Sequence, residues 1–144
     1  RDVALMQWIG DLATGDATYG AQTAHAAGHP FPADLARPMW GEGARPDPPR
    51  LLRALDRCRH LAAATPRSRR AGPLAACAWL AWATGRSTHA AAYAADALDI
   101  DPDHGLADIV RIMCAQGRLP EWVFEREAVT SPGGTESSRG SRAR

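Results

Sequence analysis

The chain has 144 residues, 45% of them hydrophobic and 23% charged, with a formal net charge of +1. That length and balance exclude a wholly unfolded polypeptide and point to one globular domain. The near-zero charge leaves no global field to steer nucleic acid or a membrane surface toward it.

All 17 basic residues are arginine, and alanine dominates the composition. This is the coding bias of a GC-rich sequence, and it lowers the functional weight of any arginine cluster. Cys58, Cys77 and Cys114 make an odd count without a Cys-x-x-Cys spacing. A disulfide framework or zinc ribbon is therefore not expected, and a reducing, cytoplasmic setting is. No basic segment followed by an apolar run opens the chain, so no signal peptide is read. The chain begins on Arg1 inside a helical pattern, and a natural N-terminal portion is expected before it.

In chain order, residues 3–13 place Leu5, Ile9 and Leu12 on one face at helical spacing. Gly15-Asp16 interrupts them, and a second helix is expected over residues 17–27, closed by Gly28. His29-Pro-Phe-Pro32 reads as extended, because a residue before proline is pushed out of the helical region. A short helix is expected over 33–39. Gly41 to Pro49 reads as a linker by composition.

Asp47, Pro48 and Pro49 then look like a capped helix start. The stripe expected of that helix is Leu51, Leu52, Leu55, Cys58 and Leu61/Ala62, with Arg50, Arg53 and Arg57 on another face. Residues 65–72 read as a basic loop. Further helices are expected over 73–84, 87–99, 104–116 and 120–128. From Thr130 onward almost no apolar residue occurs, and a disordered tail is expected over 130–144. No segment shows strand alternation. The expected fold is all-α, a tetratricopeptide-like antiparallel array of six or seven helices over residues 1–129, without a sheet.

The stretch 73–84, Pro-Leu-Ala-Ala-Cys-Ala-Trp-Leu-Ala-Trp-Ala-Thr, is apolar nearly all round. A membrane span needs about 20 such residues, so packing on several sides inside a globule is the better reading. Gly85, Ala90, Tyr93, Ala97-Leu98 and Asp101-Pro102 follow it. That punctuation resembles a tetratricopeptide repeat, in which a glycine closes the first helix, a small residue marks the close crossing and a proline starts the next turn. In this register Leu74, Cys77, Ala78 and Ala81 face the partner helix.

Residues 70–120 also resemble the C-terminal part of an uncharacterised bacterial family, domain of unknown function four-one-nine-two. The shared pieces are Trp79/Trp82, Gly85/Ala90, Ala97-Leu98 with Asp101-Pro102, and Gly117 with Leu119-Pro120. The resemblance implies an α/β portion preceding this chain and assigns no activity.

Asp99 to Gly105 carries alternating carboxylates like a calcium loop. A calcium loop needs Gly at position six and Glu at position twelve, and His104 and Val110 stand there. The segment therefore reads as an inter-helix turn in which Asp103 caps the next helix. His25 and His29 have a spacing that can present two metal ligands, but Gly28 and Pro30 end the helix between them and no third ligand is near. Residues 45–70 hold eight arginines against Asp47 and Asp56, a balance of +6. Such a stripe can follow a phosphate backbone, yet no stacking aromatic accompanies it, and a solvated face is preferred. No nucleophile elbow, P-loop or His-Glu-x-x-His occurs, so no catalytic residue, cofactor or metal is assigned.

Trp79 and Trp82 are the one candidate binding pair. In the repeat register they face the concave side that binds peptides in such arrays. The competing expectation packs both beneath the helix of residues 51–61, with Trp82 keeping an exposed edge. The sequence reading is thus a helical interaction or scaffold module, partnered by an unknown protein or its own N-terminal domain. The alternatives are an accessory domain of an enzyme whose active site lies N-terminal to this chain, and a weak nucleic-acid binder through the arginine stripe.

Overall fold

Periodicity and punctuation translate directly into helices in the computed structural model, which describes residues 19–125. Six α-helices occur among the described residues: α1 Tyr19–Ala26, α2 Ala33–Ala36, α3 Pro48–Ala64, α4 Ala71–Ala83, α5 Ser87–Ile100 and α6 Gly105–Ala115. Three 3₁₀ turns join them, at Arg37–Trp40, Arg67–Arg69 and Glu121–Val123. No strand is present among the described residues, and the fold is all-α. The helix read over residues 3–13 and the tail of residues 130–144 lie outside the described residues.

Helix α3 starts where its sequence says it should. Asp47 Oδ2 accepts from the Arg50 backbone N–H at 3.2 Å, and prolines fill the first two positions, where no intrahelical donor is needed. Its buried stripe is Leu51, Ala54, Leu55, Cys58 and Ala62. Leu52 and Leu61 were expected in that stripe and are exposed instead. At about 100° per residue each lies one step off the stripe's centre line.

The basic loop of residues 65–72 is tighter than its composition implied. Arg70 swings back so that its Nε and Nη2 donate to the Thr65 carbonyl at 3.1 and 2.9 Å, satisfying an orphan carbonyl at the end of α3. This turn feeds α4, which begins at Ala71, two residues earlier than expected, with Pro73 tolerated in its first turn.

Helix α4 is the axis of the domain. Every residue from Leu74 to Ala83 is buried, and α3, α5 and α6 all pack against it. The uniform apolarity of residues 74–83 is thus explained by neighbours on several sides. Helix α5 approaches closely through Ala90, Ala94 and Ala97, all fully buried at i, i+4 and i+7 spacing. Helix α6 adds Leu106, Ala107, Val110 and Met113. It is capped by His104, whose Nδ1 accepts from the Ala107 N–H at 3.4 Å, and not by Asp103 as expected. The Asp103 N–H instead meets Asp101 Oδ1 at 3.3 Å.

Beyond α6 the expected helix over 120–128 is, in its described part, only the 3₁₀ turn Glu121–Val123. The segment expected as a helix over 33–39 likewise shortens to α2 and then tightens into a 3₁₀ turn at Arg37–Trp40. These two irregular segments close the core.

Candidate functional site

Trp79 and Trp82, the sequence-derived groove candidates, are both 0% exposed. Neither lines an open surface, and Trp82 keeps no exposed edge. The indole N–H of Trp79 donates to the Met39 carbonyl at 3.1 Å, and that of Trp82 to the Arg118 carbonyl at 2.7 Å. Both polar ends therefore reach the segments flanking the helical core, where an expectation of cover by α3 alone did not place them. Trp122 returns the contact, donating its N–H to the Ala83 carbonyl at 2.9 Å.

The two covering segments also bond to each other. Glu121 N–H donates to the Gly41 carbonyl at 2.8 Å, and Gly43 N–H to the Glu121 carboxylate at 3.2 Å. Arg118 Nη2 lies 3.4 Å from the Trp40 carbonyl and 3.4 Å from a Glu42 carboxylate oxygen. Residues 37–43 and 118–124 thus form one cap over Trp82, and the surface on which a bare helix pair would display its tryptophans is filled from within the chain. Residues 41–49, read as a linker, are structural where they meet this cap.

Cys77, expected to face the partner helix of the repeat, also has a neighbour on α3. It lies beside Cys58 of α3, near enough for the two thiols to shift each other's ionisation. The neighbouring Cys77 thiol and burial push the Cys58 thiol far up, while the Cys58 thiol pulls Cys77 down against its own burial. Both side chains are fully buried, and inert packing is the role this environment gives them. Cys114 is half-buried, its thiol raised by desolvation, with Sγ 3.7 Å from the Ser87 carbonyl.

The remaining sequence candidates resolve into local structure. His25 Nδ1 donates to the His29 carbonyl at 2.9 Å and its ring packs edge-on against Phe31. This holds the His25 imidazole in the turn that ends α1. Among the described residues no three His, Cys, Asp or Glu side chains converge as metal ligands would. The arginines of residues 45–70 are divided between uses: Arg70 clamps the α3–α4 turn, while Arg53, Arg57, Arg59, Arg67 and Arg69 are exposed.

Among the described residues a concave site lies at the end of the bundle where α3 begins and α4 ends. It is an open groove of about 260 Å³. Pro46, Leu51, Ala83 and Trp122 are its buried lining, and Leu52, Val123 and Thr84 lie along it. Trp122 brings an apolar ring, its single donor being spent on Ala83. Arg45 and Arg86 complete the lining, both exposed. Among the described residues neither guanidinium has an ion-pair or hydrogen-bond partner. Of the described acids in these segments, Asp47 caps α3 and Glu121 accepts from Gly43.

No protein-family model, curated protein or solved structure matches this chain. No sequence signal marked the groove, because its walls come from three segments that are distant in the chain. Among the described residues no helix is long and apolar enough to cross a membrane.

Proposed function

We propose that this chain is a helical protein-interaction or scaffold module that docks its partner at the arginine-rimmed groove. The observation that carries this reading is the apolar surface left open there. Leu52 is 42% exposed, Val123 38% and Phe124, next in the chain, 72%. Large apolar side chains grouped beside a concavity mark interaction surfaces more often than isolated ones do. The interior supports the scaffold role: α4 is enclosed by three helices and its indoles are tied to the cap, so the groove is mounted on rigid elements.

The repeat-like punctuation of residues 73–102 favours the same class of function. The free thiols, two of them in contact in the core, favour a cytoplasmic setting. The family resemblance of residues 70–120 carries no activity, and none is drawn from it.

The test is retention of a partner from extract on the immobilised 144-residue chain, compared with Leu52→Asp and Phe124→Asp variants whose circular dichroism and melting temperature are unchanged. A protein held by the wild-type chain and released by both substitutions is the expected result. Identical retained proteins on all three would refute the docking surface.

A further inference from the structure

The chemistry of the groove says what kind of segment it takes. A lining of Pro46, Leu51, Ala83 and Trp122 offers no buried charge, so the inserted group is apolar. Cofactor and drug-sized sites run to roughly 300–1,000 Å³, and about 260 Å³ is smaller. That size suits one or two side chains from a peptide. The rim is positive: Arg45 and Arg86 both line the groove, both reach solvent, and neither has an acidic partner among the described residues. Among the described residues no carboxylate would have to be displaced from either guanidinium.

Building on the interaction-module reading, we propose that the groove binds an acidic segment of a partner protein, in which one apolar anchor is flanked by carboxylates. The anchor sits on Leu51, Ala83 and Trp122, and the flanking carboxylates pair with Arg45 and Arg86. Arginine suits this work because its planar fork donates two parallel hydrogen bonds to a carboxylate. Leu52 and Val123, at the edge of the groove, exclude water around the anchor, as a rim of near-neutral residues does around a hot spot.

The measurement is fluorescence anisotropy of Asp-Glu-Leu-Asp-Glu-amide carrying a dye on its N-terminal amine, titrated with the full chain. Two control peptides accompany it, one with Ser in place of Leu and one with Lys and Arg in place of the acids. Saturable binding of the acidic leucine peptide alone is expected. Arg45→Gln and Arg86→Gln should each weaken it about threefold, and the double variant about tenfold, the scale of exposed ion pairs. Raising salt from about 0.1 to about 1 M shortens the Debye length from roughly 10 to 3 Å and should weaken it further.

Equal binding of the basic peptide, no saturation, or an unchanged affinity in a folded double variant would each overturn the proposal. So would sedimentation showing a dimer that Leu52→Asp disperses, which would make a second copy of the chain the occupant. If the peptide fails while Leu52→Asp still releases a retained protein, the interaction module stands and only the acidic chemistry falls. If both fail, the module reading falls with it.

Discussion

Replacing Gly41 with alanine should destabilise the domain far more than the same change at another glycine of similar backbone conformation. Gly41 has φ 77°, in the left-handed region, and its carbonyl receives the Glu121 N–H at 2.8 Å. A Cβ built there would stand 2.6 Å from the Trp82 ring and 2.8 Å from the Pro120 backbone Cα. Neither neighbour can retreat cheaply: the ring is fully buried, and moving Pro120 pulls on the turn that places Trp122. Left-handed strain contributes roughly 1 kcal/mol, and overpacking of a filled site adds about 1–3 kcal/mol. The expected loss is therefore about 2–4 kcal/mol. Gly117 is the control, with φ 65° and open space around its Cα, so Gly117→Ala should cost only the strain, about 1 kcal/mol. Urea denaturation followed by far-ultraviolet circular dichroism gives both numbers on one scale. A Gly41→Ala loss within about 0.5 kcal/mol of the Gly117→Ala loss, the scatter of ordinary surface substitutions, would show that the cap over Trp82 is not packed as described.

Three further outcomes are expected. Ala90→Leu inserts bulk at the α4–α5 crossing and should cost about 1–3 kcal/mol, while Ala95→Leu, on the exposed side of α5, should change the urea midpoint little; equal effects would place the crossing elsewhere. Trp122→Ala should cost about 3–5 kcal/mol, and Trp122→Phe should recover part of that while leaving the Ala83 carbonyl unpaired; a neutral Trp122→Ala would remove the reason for a closed bundle end. In the folded chain a disulfide-exchange reagent at mildly alkaline pH should reach Cys114 alone, and slowly, because burial raises its thiol, with Cys58 and Cys77 reacting only after denaturation. Rapid labelling of all three without unfolding would contradict the burial of the α3–α4 seam.

Helix identity was legible from local chemistry. Asp47 before two prolines, the 3.6-residue spacing of Leu51, Leu55, Cys58 and Ala62, and Gly85 after the run 74–83 are each readable without a partner, because capping, periodicity and left-handed turns act within a few residues. The apolar circumference of α4 announced burial on several sides, and Ala90 announced a close crossing.

What covers those surfaces was not legible, because it depends on groups far apart in the chain. Trp82 could be read as core or as groove, burial being the expectation, but nothing local pointed to Gly41 and Pro120 as the groups that close over it. Repeat punctuation assigned Cys77 a single partner face, whereas α4 packs against α3, α5 and α6 and Cys77 lies beside Cys58 of α3. Leu52 read as core by its residue type, and the helix turned it out to the groove. Arg45 and Arg86 stand 41 positions apart, 86 − 45, and carry no shared motif. Local interactions determined where this chain turns and which faces are apolar. Only long-range packing decided which of those faces were buried, because burial depends on what arrives in space rather than on what adjoins in sequence.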